Sequence, residues 1–391
     1  MPSKGGNCDQ INYKSNYPSN KIYKGRNENT VNQTNIIRSV MEFINSNNKT
    51  ENEFNELAIE IFEYQYANNS PFNLFVKQQG SSPKVAKTWK DIPPLPISAF
   101  KRVNLSCCPP AKTGRTFMTS GTTQINMKGK SFHPTLSVYD RSMIKNFKAR
   151  FLPEIEKIRM GILFPKEDVM PNSSLAHYLA LAFKTFGTPN SGYYLNSTGI
   201  EFKKLFKDLK ISQETKEPVA ILGASFSIVH LLDEMKKLGK SFQLPIGSKI
   251  LDTGGFKGQS REVEQEEFYE QLSSAFGIPR RNCINMYGMT ELSTQFYDCG
   301  NEICPSVKTG PHWIKSKVVD PLTKREVKSG DVGLLVHCDL AHFNIVSTIL
   351  TEDMGVERDS GFILLGRAVG ENAKGCSLAA DEFLNSIKNN D

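Results

Sequence analysis

Apolar positions along the chain follow two spacings, one suited to helices and one to buried strands. Ile37, Val40, Met41 and Ile44 recur every three or four residues, which places them on one face of a helix. Residues 51–67 repeat the pattern, with Phe54, Leu57, Ala58, Ile61 and Phe62 as the apolar stripe. Ile92-Pro93-Pro94-Leu95-Pro96 then imposes an extended connection, because proline fixes φ, lacks an N–H and disfavours helix in the residue before it. Beyond it, short apolar runs at 161–164, 218–223, 249–252 and 282–286 alternate with helical patterns at 175–186, 227–238 and 263–276. Strand–helix–strand alternation of this kind predicts an α/β sheet with helices on its faces. The helical stretch 201–210 is mildly basic and reads as a solvated face. After residue 308 short strands with turns take over, at 332–336 and 362–365, which predicts a smaller β-rich subdomain.

The reading divides the chain into four segments. Residues 1–35, rich in Asn, Lys, Ser and Tyr without periodicity, form a loosely ordered arm. Residues 36–307 form the α/β core, 308–367 the β-rich subdomain and 368–391 a short C-terminal segment. Of the 391 residues, 39% are hydrophobic and 23% charged, which suits a globular chain with a sizeable core. No apolar run approaches the roughly 20 residues that span a bilayer. The most apolar stretch, 175–186, is interrupted by His177 and Lys184. The N-terminus has no apolar signal region, so a cytoplasmic location is expected. The net charge of +7 is spread along the chain, and no nucleic-acid-binding signature accompanies it. Eight cysteines in such a chain read as reduced thiols, and Cys299 and Cys304 lack the further ligands of a zinc site.

Two short motifs carry candidate chemistry. Thr119-Ser120-Gly121-Thr122-Thr123 sets four hydroxyls around a glycine, with Lys128 and Lys130 behind it. Such a loop can wrap a polyphosphate through inward N–H groups, donating hydroxyls and balancing lysines; a solvated Ser/Thr turn is the other reading. It lacks the GxxxxGK[ST] spacing of a P-loop. Tyr287-Gly288-Met289-Thr290-Glu291 follows the strand at 282–286, at the strand end where open α/β sheets bind ligands. There Thr290 can reach a phosphate, Glu291 can hold Mg²⁺ and Tyr287 offers a flat face to a purine. Alternatively Thr290 caps a helix whose dipole Glu291 complements.

Taken together, these motifs resemble the adenylate-forming superfamily of acyl-CoA synthetases, nonribosomal peptide adenylation domains and firefly-type luciferases. The resemblance implies that fold, ATP as substrate and Mg²⁺ with it. It adds, in order along the chain, an adenine-contacting turn at Thr253-Gly254-Gly255, a ribose-holding Asp353 in Thr351-Glu352-Asp353-Met354-Gly355, and a hinge arginine, Arg367. Gly223-Ala224-Ser225 resembles the segment bordering the acyl pocket, and His133 is a candidate to approach the acyl carboxylate, a loop histidine being the alternative. The superfamily's late catalytic lysine lies in a domain of about 100 residues past the hinge, whereas 24 residues follow Arg367 here, counting 391 − 367. Lys257 and Lys128 are therefore the candidates to contact the carboxylate or α-phosphate.

Finer features, Pro93-Pro94-Leu95-Pro96-Ile97-Ser98-Ala99-Phe100-Lys101, Asp252-Thr253-Gly254-Gly255-Phe256-Lys257-Gly258 and Gly375-Cys376-Ser377-Leu378, resemble the bacterial acyl-protein synthetases of luminescence fatty-acid reductase complexes. That resemblance implies an acid–thiol ligase that adenylates a long-chain fatty acid, takes the acyl group on Cys376 and passes it to an acyl reductase partner. A thiolate at Cys376 suits this chemistry, since AMP is a good leaving group and a thioester keeps the acyl group activated. Two rival functions are a phenylacetate-type CoA ligase and a non-catalytic acyl- or nucleotide-binding subunit. Acyl chain length, the fate of the product and the oligomeric state are not encoded in these motifs.

Overall fold

The computed structural model describes residues 32–47, 49–109, 112, 114–120, 128–254, 260–359, 361–370 and 381–387. The chain separates into residues 1–30 and 31–391, and every element below belongs to the second unit. Helices α1 (Gln33–Asn45), α2 (Glu51–Asn68) and α3 (Ser70–Gln78) come first. Asn32 caps α1, and Thr50 with Glu53 forms a capping box on α2, so local chemistry starts both helices. The proline-rich connection carries a short strand, β1 (Leu95–Pro96), and leads to a hairpin of β2 (Arg115–Met118) and β3 (Lys130–His133).

Helix α4 (Ser137–Arg150) and strand β4 (Arg159–Leu163) open the alternating region. After them come α5 (Ser174–Phe186), β5 (Gly192–Tyr193), a small hairpin of β6 (Leu195–Asn196) and β7 (Gly199–Ile200), and α6 (Phe202–Thr215). The region closes with β8 (Val219–Ala224), α7 (Ser225–Lys237), β9 (Lys249–Thr253), α8 (Gln265–Phe276), β10 (Cys283–Tyr287) and β11 (Phe296–Tyr297). These strands form one sheet in the order β11-β10-β9-β8-β4-β5, parallel except for β11. Both faces are covered, which is why β8 reads as an unbroken apolar run. Val219 and Ile221 pack with Leu205, Ile228 and Leu272 of α6, α7 and α8, while Ala220 and Leu222 pack with Phe147 and Tyr178 of α4 and α5. The 201–210 stretch is thus part of an amphipathic helix that buries Leu205, Phe206 and Leu209.

A second sheet follows, built from β12 (Val307–Lys308), β13 (Ile314–Val319), β14 (Val332–Asp339), β15 (Thr348–Arg358) and β16 (Gly361–Arg367) in the order β12-β16-β15-β14-β13, antiparallel throughout. β1 joins it alongside β15. Helices α1, α2 and α3 share a core with this sheet: Ile36, Phe54, Ile61 and Phe72 meet Leu335, Ile349 and Phe362. Gln65 of α2 strengthens that junction, its amide donating to the Phe343 carbonyl at 2.9 Å and accepting from the Ser347 N–H at 3.2 Å. Periodicity alone missed β15, because Thr351-Glu352-Asp353 interrupts its apolar pattern with polar side chains. Among the described residues no helix is long and apolar enough to cross a membrane.

The two exposure extremes give a test. Ile221 is fully buried and Ile246 is 99% exposed. Ile221→Ala is expected to cost about 2–5 kcal/mol in denaturant unfolding through lost burial and a residual cavity. Ile246→Ala is expected to stay within about 0.5 kcal/mol of the parent.

Candidate active site

The β2–β3 hairpin delivers the hydroxyl-rich loop. Thr119 closes the base of that loop: its N–H donates to the Gly129 carbonyl, and its Oγ1 accepts from the Gly129 N–H, both at 3.0 Å. Ser120 is exposed beside it, and Gly121, Thr122 and Thr123 lie outside the described residues. A side chain at Gly129 would crowd its neighbours. A Cβ there would stand 3.1 Å from Thr119 Cγ2 and 3.2 Å from Glu291 Oε1, so the hairpin base and Glu291 meet across it. The lysines flanking it drew attention in the sequence; the glycine between them carried no separate signal.

Glu291 reaches this point from the end of β10. Met289 to Leu292 form a single turn closed by the Leu292 N–H donating to the Met289 carbonyl at 3.2 Å, and the chain then runs into β11, so no helix begins there and Thr290 caps none. Thr290 Oγ1 lies 3.4 Å from Ser174 Oγ, in the first turn of α5, which brings a third chain segment to the same place. Glu291 is buried at 4% exposure and makes no ion pair among the described residues. Burial pushes its carboxyl up to about 7, against the opposing pull of its own backbone N–H and of the Lys101 and Arg367 charges. Lys101 is the last residue of the short helical turn after β1 (Ile97–Lys101); only its charge beside Glu291 marks it as a site residue.

At the end of β9, Thr253 Oγ1 donates to the Met286 carbonyl at 2.9 Å, stapling β9 to β10 just before the Gly254 turn. Asp252 beneath it accepts from Ser225 Oγ at 2.8 Å, Tyr269 OH at 3.0 Å and Asn285 Nδ2 at 2.8 Å. The Ser225 hydroxyl is therefore committed to bracing the turn. Ala224 is buried, and Gly223 gives room to β4, since a Cβ there would come within 2.9 Å of Leu163 Cβ. Just beyond, Phe226 and Ser227 line an open groove of about 500 Å³ with Leu195, Ile200 and Phe202.

Tyr287 is 8% exposed, its ring packed on Phe296, His337 and Phe362. Its hydroxyl donates to Asp353 Oδ2 at 2.8 Å, so the tyrosine grips the proposed ribose-binding carboxylate. Gly288 follows in tight packing against Met286 and Gln295. Asp353 pairs across β15 and β16 with Arg367. The Arg367 guanidinium is largely exposed; its Nη1 donates to Glu352 at 3.2 Å and its Nε lies 3.8 Å from Asp353. A bulge at Leu365, next to Gly366 with φ +104°, re-aims the strand end that carries Arg367.

His133 is buried, edge-on to Tyr139 and His342, with Ser131 Oγ 3.2 Å from its Nε2. Burial drives its pKa down to about 3, so it stays neutral. Lys128 lies next to Gly129 and is partly buried. Gly255, Lys257 and Cys376 lie outside the described residues.

The buried carboxyl has a consequence for stability. Its folded pKa of about 7 exceeds the ordinary 4.5, so the folded chain binds this proton more tightly than the unfolded chain does. Stability then falls as pH rises from about 4.5 to about 7, by a total on the order of 3 kcal/mol. Glu291→Gln is expected to be more stable than the parent at pH near 8 and to match it near pH 4, read by denaturant melts at both.

Comparisons with known proteins agree with this architecture. The family model described as "Acyl-protein synthetase, LuxE" matches residues 24–385. A long-chain-fatty-acid–luciferin-component ligase of Aliivibrio fischeri is 22% identical over 306 residues, 78% of this chain and 79% of the relative. Its namesake from Vibrio harveyi is 22% identical over 336 residues, 82% of this chain and 85% of the relative. Among solved structures, 2-hydroxyisobutyryl-CoA ligase in its postadenylation state with 2-HIB-AMP superposes with a TM-score of 0.60 at 13% identity, covering 84% of this chain and 72% of that one. At that identity the likeness carries the fold alone, the α/β fold of adenylate-forming enzymes. With the family match running over nearly its whole length, the chain belongs to the acyl-protein synthetase (LuxE) family.

Proposed function

We propose that this chain activates a long-chain fatty acid with ATP as an acyl-adenylate, takes the acyl group on Cys376 and hands it to an acyl reductase partner. The observation that carries the reading is the meeting of Thr119, Thr290, Ser174 and the buried Glu291 at the carboxyl ends of the parallel strands. Open α/β sheets bind ligands at that edge. The names of the two curated relatives support a fatty acid as the substrate.

A divalent cation fits Glu291: a buried carboxylate with no ion pair among the described residues offers a hard oxygen ligand. Mg²⁺ bound there would offset phosphate charge as pyrophosphate departs. The protein's own groups do the rest. Thr119, Ser120 and Thr290 offer hydroxyls to the phosphates, and Arg367 and Lys101 supply positive charge. Tyr287 keeps Asp353 aimed at the ribose hydroxyls. The fatty carboxylate oxygen attacks the α-phosphorus as its bond to the bridging oxygen breaks, and pyrophosphate leaves. The Cys376 thiolate then attacks the acyl carbonyl, AMP departs, and the thiol proton goes to solvent. Positioning and fixed charge account for the acceleration.

Labelled tetradecanoate with ATP is expected to give a protein-bound label that hydroxylamine removes. Glu291→Gln is expected to lower ATP–pyrophosphate exchange by about 100-fold or more, and unchanged exchange would refute the nucleotide site. Cys376→Ser is expected to keep exchange and lose the label; equal labelling would refute the acceptor. AMP release that requires CoA, without labelling, would favour a CoA ligase.

A further inference from the structure

His177 is the one charged interruption on the buried face of α5, and its surroundings are polar on both sides of the ring. Nδ1 lies 2.8 Å from Glu167 Oε1 and Nε2 lies 2.7 Å from Asp140 Oδ1. An ionised carboxylate only accepts hydrogen bonds, so both contacts are bonds only when both ring nitrogens carry hydrogen. The geometry therefore calls for an imidazolium in a site that is 7% exposed.

The two carboxylates connect the ring to different parts of the fold. Asp140 belongs to α4. Glu167 lies in the loop between β4 and α5, and there it also pairs with the Arg115 guanidinium. Arg115 is the first residue of β2, and its Nη1 donates to the Pro171 carbonyl at 2.6 Å. The last residue of β2, Met118, donates its N–H to the Asn172 carbonyl at 2.8 Å. The next residue on the β2 side is Thr119, and on the α5 side, after the capping Ser173, is Ser174 beside Thr290. One network of charges thus spans α4, α5, the 164–173 loop and the strand that carries the hydroxyl loop.

We propose that His177 is a positioning residue for the nucleotide site: its imidazolium, held between Asp140 and Glu167, clamps β2 to the 164–173 loop and so sets Thr119 and Ser174 against Thr290 and Glu291. Loss of the ring proton leaves two carboxylates facing the ring with Arg115 as the remaining cation. His133 from β3 is neutral, and the Tyr139 ring from α4 lies tilted at 53° with its centroid 5.6 Å from that of His177. Glu167 is then released from one partner and the loop loosens. Burial pulls the His177 pKa down, but the hydrogen bonds and charges of Asp140 and Glu167 outweigh it and raise the pKa. A raised histidine pKa gives stabilisation that is complete below the ordinary value and is lost as pH rises through the folded one. Nucleotide affinity is tied to the same proton.

The inference rests on the nucleotide reading of the site, so the test separates the two. Mg·ATP binding is titrated calorimetrically between about pH 6 and pH 9 for the parent, His177→Gln and Asp140→Asn, with pyrophosphate exchange on the same samples. The parent is expected to lose affinity with rising pH about tenfold more than His177→Gln does, as a one-unit change in the ring's pKa on nucleotide binding requires. The ionisation of ATP itself cancels in that comparison. Asp140→Asn is expected to move the inflection to lower pH, which keeps the idea testable if His177→Gln does not fold. Matching profiles in parent and variants, or an absence of ATP binding, overturn the clamp. Binding with the expected pH dependence but no exchange supports the clamp and overturns adenylation instead.

Discussion

The register of β10 against β9 is the constraint on which the site depends. Met286 pairs with Thr253 and Asn285 with Asp252 across these parallel strands, and the Thr253 hydroxyl closes on the Met286 carbonyl. Side chains alternate along a strand, so a slip of one residue would turn Asn285 away from Asp252 and Tyr287 away from Asp353. The same register delivers the Gly254 turn and the Thr290–Glu291 turn side by side. The staple is polar and buried, and burial in turn makes its loss expensive.

Buried acids show how differently the fold treats its charges. Asp298 is neutralised by Lys308 at 2.6 Å and also accepts from the Asn285 N–H. Asp339 accepts from the N–H groups of Ser293, Thr294 and Ala341 and from the Thr294 hydroxyl. Asp252 has Ser225, Tyr269 and Asn285. Burial raises all three of the acids that lack an ion pair among the described residues: Asp252 upward, Asp339 to about 6, and Glu291, which has its own N–H and the more distant charges of Lys101 and Arg367, to about 7. A carboxyl raised in this way lowers stability at neutral pH, and such groups cluster where a protein binds a ligand.

Two sheets meet around these groups in a division of labour. The parallel sheet supplies strand ends, where loops are free to carry hydroxyls, glycines and Glu291. The antiparallel sheet supplies Asp353 and Arg367 from adjacent strands, joined to the first sheet through Tyr287. The β2–β3 hairpin belongs to neither sheet and is held by the ion network around Arg115, Glu167 and His177. A hairpin of four-residue strands gains little from its own ladder, so side chains outside it decide where its strands sit.

The alternation of buried strands and amphipathic helices from β4 to β10 was legible in the sequence, because periodicity and caps are properties of a few neighbouring residues. The strand end ahead of the Tyr287–Glu291 turn was legible for the same reason, an apolar run giving way to turn residues. Tertiary structure decided which distant residues meet. It placed the helices of residues 33–78 on the C-terminal sheet, and it brought Gly129 and Lys101 to Glu291 and Ser174 to Thr290. It also gave the Tyr287 ring a packed setting with its hydroxyl on Asp353, and put His133 in the core. Local patterning states that a side chain is apolar, charged or small. Which partner shares its burial depends on segments as far as 311 residues apart, as between Gln33 and Asn344, and is settled only when they pack.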